Sequence, residues 1–402
     1  MGTQARNRLN AATADALHAE PHLPAPPACR TWARVDLGAL RHNLRLARRA
    51  VGRGVGIAAV VKANAYGHGA VRVARAAGHA GARALVVANA AEGVELRDAG
   101  IKAPVIIIGA SLPWDAEAIV AHDLAASLSP PEMFEALRAE AGRQGRPARV
   151  HLMLDLAMRR AGLEPDHALE LGARLADTPE LRLEGIASHF AVADEEDAGP
   201  CREQAVRFAE LVAAVRAMGL RPRWVHLANS AAILRIPDSH FNLARAGIML
   251  YGMAGSPALD GAAPVRPVLS WHTRVVCLRG VPAGTPVGYG HTYRTPAATT
   301  LATLPVGYHD GYARAYSSNA DVLLRGRRAP VVGRVSMDYI TVDAGQIPDV
   351  EVGQVATLLG RDGEACIRAE ELAERRGTIP YEVTCAIGQR VRRLYVATEG
   401  TA

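Results

Sequence analysis

Ile57 to Val61 is an unbroken apolar run that ends in Lys62, and the short stretch Ala63-Asn64-Ala65-Tyr66-Gly67-His68-Gly69 follows it. The pattern predicts a buried strand delivering one amine at its C-terminal tip, the end at which barrel enzymes place their chemistry. Taking an ammonium out of water is costly, so such a lysine has a lowered pKa and becomes a nucleophile toward carbonyl groups. Taken singly, the same residue also fits a lysine that merely caps a strand.

Other residues of chemical type sit at comparable places. His189 closes the apolar run Ile186-Ala187-Ser188, and Asn229-Ser230 stand where the strand His226-Leu227-Ala228 runs into a helix. Asn and Ser are good N-caps, and a helix start on the upper face of a barrel also attracts phosphate through its unpaired amides and positive dipole end. Arg245 lies between apolar flanks, where a casual arginine is expensive, and Gly247-Ile248 follow it. Arg160 sits in Met158-Arg159-Arg160, a fork suited to a carboxylate. Tyr289 in Gly288-Tyr289-Gly290, Tyr308 in Gly307-Tyr308-His309-Asp310, Met337 in Ser336-Met337-Asp338 and Tyr381 in Ile379-Pro380-Tyr381 complete the set.

Those residues need elements to hold them. Trp32–Asp36 alternates like a strand, and Asp36 can cap a helix over Leu37–Arg49. After the Lys62 strand, strands are predicted at Ala84–Ala88, Pro104–Gly109, Asp123–Ser127, Val150–Leu156, Leu183–Ala191, Arg223–Ala228 and Asn242–Leu250. The connections are helical or long enough to hold a helix, among them Ala70–Ala80, Ala91–Ala99, Pro131–Gly142, His167–Ala176 and Arg202–Met218. Eight strands separated in this way imply an α/β chain with an N-terminal (β/α)8 TIM-type barrel. Around Gly255–Pro267 the helical periodicity stops, and short β-rich segments follow at Ser270–Leu278, Thr299–Pro305, Ala320–Leu324, Ala329–Gly333, Tyr339–Asp343 and Val355–Leu359, with one helix at Ile367–Arg376. The expected organisation is a flexible Ala/Pro-rich extension over residues 1–29 with a helical turn around 10–19, a barrel over 30–254, and a mostly β C-terminal domain over 255–402, with residues 30–36 as a candidate strand of the β domain.

Composition narrows the function classes. The net charge is +6, but no basic block interleaves with aromatics, which are only 4% of residues, so nucleic-acid binding is not expected. Five cysteines, dispersed and without a C-x-x-C pair, argue for reduced thiols in the cytoplasm and against a disulfide framework or zinc site. No stretch is long and apolar enough to span a membrane.

The decapeptide Val60–Gly69 resembles the lysine motif of the alanine racemase family, in which that lysine forms a Schiff base with pyridoxal 5'-phosphate (PLP). The segments carrying His189, Asn229-Ser230, Arg245, Tyr289, Tyr308 and Met337 match the family in order, so the resemblance runs from about Trp32 to Tyr395. It implies PLP as cofactor, an amino acid as substrate, and a homodimer whose active sites are shared. Lys62 and the partner subunit's Tyr289 would be the two acid/base groups on opposite faces of the substrate carbanion. The resemblance assigns the cofactor phosphate to Ser230, the amides of Gly247 and Ile248, and the hydroxyls of Tyr66 and Tyr381, with Asn229 beside them. His189 would lie against the pyridine ring, and Arg245 would contact its nitrogen. A guanidinium keeps its proton, so the ring would remain a weak electron sink, which limits side reactions such as transamination. Arg160 and Met337 would meet the substrate carboxylate, with Tyr308 at the entrance. One segment departs from the family: Met153 stands where relatives carry a lysine, often carbamylated, that orients the arginine, Leu156-Ala157 replace Thr-Gly, and Arg159 adds a cation. That opens substrate range, so a racemase of different or broader specificity is a second expectation. A PLP-dependent decarboxylase on the same fold would keep the lysine yet need no opposing base, and a PLP carrier would need no second domain. The complete Tyr289 motif and the β-rich half speak against both.

Overall fold

The computed structural model describes residues 29–128 and 132–397. The expected extension and its helical turn at 10–19 lie outside the described residues, except for Cys29.

The chain enters through β1 (Thr31–Asp36), and Asp36 caps the helix Leu37–Val51 by accepting from the amides of Gly38 and Ala39 at 2.7 and 3.1 Å. Eight parallel strands follow: β2 (Gly56–Val60), β3 (Ala84–Val87), β4 (Val105–Ala110), β5 (Ala125–Leu128), β6 (Ala148–Met153), β7 (Leu181–Ala187), β8 (Trp224–His226) and β9 (Leu243–Ala246). Their order, β8-β7-β6-β5-β4-β3-β2-β9, is a barrel cut at the β8/β9 seam. The seam closes through Asn242 N to Val225 O at 3.4 Å and Arg245 N to Ala228 O at 2.9 Å, with the Asn242 side chain bonded to Val225 N and Arg223 O. Most barrel strands are buried along their length, as parallel strands covered by helices must be.

The remaining strands are β10 (Leu269–Arg274), β11 (Cys277–Val281), β12 (Pro286–Val287), β13 (Tyr293–Arg294), β14 (Thr299–Leu304), β15 (Asp321–Leu324), β16 (Arg327–Pro330), β17 (Ile340–Asp343), β18 (Val355–Asp362), β19 (Ala365–Ile367) and β20 (Arg392–Val396). They form a seven-stranded sheet containing β1, a three-stranded sheet β11-β14-β17, and the hairpin β12-β13. The first strand of the chain therefore belongs to the β-rich half, antiparallel to β10 and parallel to β20.

Three expectations need correction. Ser270–Leu278 is two strands, because backbone pairing switches sheets between neighbours: Val275 N donates to Gln354 O and Val276 N to Thr303 O. The strand expected at Ala329–Gly333 is Arg327–Pro330, and beyond it the pairing changes sides, with Val331 N donating to Ala320 O and Val332 N to Thr341 O, both at 2.8 Å. Strand β20 escaped notice because it is an edge strand, half-exposed, and opens on two arginines.

Candidate active site

Lys62 lies two residues past the end of β2, at the C-terminal mouth of the barrel. The next four residues, Ala63, Asn64, Ala65 and Tyr66, all have φ between 52 and 54° and coil as one left-handed helical turn. Gly67 N to Ala63 O at 3.0 Å and Gly69 N to Asn64 O at 2.9 Å close it, and the Asn64 side chain accepts from Ala70 N at 2.8 Å. Gly67 tolerates no side chain, since a Cβ would meet Thr384 O at 2.1 Å. Glu92, which sequence reasoning passed over, pins the start of this turn by accepting from Ala63 N and Ala88 N, both at 2.8 Å. Burial lowers the Lys62 pKa, the cations Arg160 and Arg245 lower it further, and Glu92 works in the opposite direction.

Lys62 faces a cavity of about 350 Å3 lined also by Tyr66, His189, Ser230, Arg245 and Tyr381. Asn229 caps the helix Ser230–Arg235 by accepting from Ala232 N at 3.0 Å, and it lines the cavity too. Ser230 Oγ accepts from Gly247 N at 2.9 Å, and the Tyr66 ring stacks on Tyr251 with centroids 4.7 Å apart. A Cβ on Gly247 would come within 2.8 Å of the Tyr66 hydroxyl. This end of the cavity is a cradle of backbone amide, serine and tyrosine donors. Burial raises the Tyr66 pKa and brings Tyr381 up to about 12, so both hydroxyls keep their protons.

Arg245 is fully buried and organises the other side. Nη1 donates to His226 Nδ1 at 2.7 Å and to His226 O at 2.9 Å. Nη2 faces three acceptors: Ser188 O at 2.8 Å, Leu227 O at 2.9 Å and His189 Nδ1 at 3.2 Å. Two protons serve three acceptors, so the long contact to His189 is a shared one. Among the described residues, only Nε of this guanidinium has no partner. Burial brings the Arg245 pKa down to about 10, still well above neutrality.

A donor-only arginine dictates the histidine tautomers. His226 Nδ1 must accept, so its Nε2 carries the proton and donates to His151 Nδ1 at 3.0 Å, which leaves the His151 Nε2–H buried without a partner. Burial and the nearby Arg245 cation keep all three histidines neutral, with His151 and His189 pushed down to about 3 and His226 well below its usual value. His151 and His226 meet because Gly185, on the strand between theirs, leaves the space: a Cβ there would lie 2.4 Å from the His151 ring. Sequence reasoning missed this pair.

The departing segment is a loop folded on Asp155, whose carboxylate accepts from the amides of Arg159 and Arg160, each at 2.9 Å. Arg159, at φ 51°, turns away to pair with Glu164. Arg160 is the cation of this loop that bears on Lys62 and His189, and its side chain has no carboxylate partner among the described residues. Met153 is buried.

Tyr289, Tyr308 and Met337 do not line this cavity. They are exposed by 73, 43 and 52%, and Ile379 and Tyr339 are exposed as well. The turn bearing Tyr308 and the loop bearing Met337 are tied together by Arg390, which bridges Asp310 at 2.6 and 2.9 Å and Asp338 at 2.7 Å.

Fold and site define a class: a two-part barrel protein with one reactive lysine at the mouth and an anion cradle beside it. The Alanine racemase N-terminal domain profile matches residues 35–255, and the Alanine racemase C-terminal domain profile matches residues 268–395. An alanine racemase of Geobacter sulfurreducens is 45% identical over 370 residues, covering 91% of this chain and 97% of that protein. The crystal structure of alanine racemase from a D-cycloserine-producing Streptomyces lavendulae superposes with a TM-score of 0.88 at 36% identity, over 94% of this chain and 99% of that one. A Bartonella henselae alanine racemase with covalently bound pyridoxal phosphate matches at a TM-score of 0.81 and 28% identity, over 92% of this chain and all of that one (100%). The chain belongs to the alanine racemase family.

Proposed function

We propose that this chain interconverts L- and D-alanine with pyridoxal 5'-phosphate as its cofactor. The observation that carries the reading is Lys62, its amine desolvated, in the same cavity as a Ser/Tyr/amide cradle and an arginine that offers a single free donor. The donor set suits the group: Ser230, the Gly247 and Ile248 amides, Tyr66 and Tyr381 would hold its phosphate, and Arg245 Nε would meet its ring nitrogen beside His189. When bound, the cofactor supplies an electron-withdrawing ring that acidifies the α-proton of an attached amino acid.

The residues then divide the work. Lys62 holds the cofactor and moves a proton at Nζ on one face of the substrate. Arg245 retains its proton, so the ring nitrogen is not charged. The opposing base is the partner subunit's Tyr289, carried with Tyr308 and Met337 on the exposed surface that a second copy covers, so the active unit is a homodimer. Arg160 takes the substrate carboxylate. We assign residues 30–254 to the cofactor-binding barrel and 255–402 to the C-terminal domain, with residues 30–36 as a strand of the latter. No helix among the described residues is long and apolar enough to cross a membrane, and we place the protein in the cytoplasm.

One observation favours a second substrate reading. The buried Met153 leaves Arg160 without the carbamate that resemblance would supply, so the pocket takes amino acids other than alanine or holds alanine more weakly. A single experiment separates these: α-proton exchange in deuterated water with single enantiomers of alanine, serine, lysine and glutamate, followed by chiral chromatography. Deuterated D-alanine from L-alanine is expected. Exchange confined to serine or lysine would keep the chemistry and move the substrate. PLP-loaded protein that exchanges none of them would overturn the reading.

A further inference from the structure

The other end of the barrel holds a second concavity, about 850 Å3, which the chemistry above does not use. It opens where β2, β8 and β9 begin and is lined by Arg45, Arg48, Arg49, Arg53 and Arg83, together with Trp224. No aspartate or glutamate among the described residues lines it. All five arginines are exposed, and none makes an ion pair with a described residue. Arg48 and Arg49 occupy the last turn of the helix Leu37–Val51, where the helix dipole favours a cation. Arg45, Arg53 and Arg83 have no such offset. Like charges gathered in one concave surface repel one another and focus a positive potential into it. Guanidinium forks match phosphate oxygens in shape as well as charge. The open loop Gly52-Arg53-Gly54, with both glycines at positive φ and nothing within 4 Å of a Cβ at either, lets a ligand approach the backbone.

We propose that this mouth binds an anion carrying a chain of two or more phosphoryl groups. A monovalent anion would neutralise only a fraction of five charges, whereas a linear oligophosphate spans several forks at once. The volume falls within the usual range for small-molecule sites, roughly 300–1,000 Å3. The site is separate from the Lys62 cavity, because Gly56 and Asn242 line it at the opposite ends of strands whose far ends lead to Lys62 and Arg245. It stands whether or not the racemase reading does.

The test is calorimetric titration of the PLP-loaded protein with tripolyphosphate at low ionic strength, with Trp224 fluorescence as a second readout. Saturable binding is expected, weakened about tenfold or more in the Arg49→Ala/Arg83→Ala variant and by added salt. The control Arg138→Ala/Arg143→Ala, which removes exposed arginines already paired with glutamates, should bind as the parent does. ATP serves as a second ligand: equal affinity identifies a free phosphate chain, and tighter binding identifies one carried on a nucleoside. No saturable binding, or equal binding by the Arg49→Ala/Arg83→Ala variant, overturns the proposal.

Discussion

At the scale of single residues, the site is governed by what an arginine cannot do. Arg245 has only donors, so every group around it must accept, and the protonation of His226 and His151 follows without a free choice. His151 and His189 are neutral when folded and ordinary when unfolded, so the unfolded chain binds more protons between about pH 3 and 6.5, and the His226 ring, also held well below its usual value, acts in the same direction. Stability is then fully present above pH 6.5 and is progressively lost as the pH falls toward 3. Urea melts at pH 8, 6 and 5 should show the loss below 6.5, and a flat profile would contradict it. Arg160 makes a sharper kinetic test. If it holds the substrate carboxylate, Arg160→Ala raises KM strongly while the bound-PLP absorbance survives, and an unchanged KM would reject that role. Lys62 and Arg245 were legible in the sequence because a charge inside an apolar run is costly and has to be explained. The His226–His151 contact was not, since it depends on Gly185 on a third strand being too small to separate the rings.

The elements show why placement matters more than residue type. The cradle is made by the ends of two segments, the Ser230 helix start and the turn after β9, held together by Gly247 N on Ser230 Oγ. Gly247→Ala would put a methyl 2.8 Å from the Tyr66 hydroxyl and narrow the cradle from inside. Affinity for PLP should drop about tenfold or more with the melting temperature nearly unchanged, and equal loss of both would mark a folding defect instead. The alternation of strands and helices was readable because the barrel strands are short and mostly apolar and their connections are helical or long enough to hold a helix. In the β-rich half the same reading joined β10 to β11, since a change of sheet leaves no trace in hydropathy when both neighbours are valines.

For the whole molecule, the decisive feature is a set of three site candidates that lie outside the Lys62 cavity. Tyr289, Tyr308 and Met337 are presented outward rather than to their own lysine, an arrangement that a second copy would complete. Mixing and refolding two inactive variants, Lys62→Ala and Tyr289→Phe, should restore about a quarter of parental activity, because half of random dimers then hold one intact site. No recovery would mean that each chain works alone. The long-range ties that shape this exposed surface, such as Arg390 between Asp310 and Asp338, are invisible in one dimension, with partners 80 and 52 residues away.

The turn that follows Lys62 carries a consequence of its own. Four residues there coil in the mirror image of an ordinary helix, a hand that costs each L-residue roughly 1–2 kcal/mol. Glycine, which has no hand, should relax that penalty: Ala63→Gly is expected to raise or leave unchanged the melting temperature, where the same change in an ordinary helix would lower it. D-alanine installed at position 63 by semisynthesis should do so more strongly, since the local backbone is already wound for its enantiomeric form.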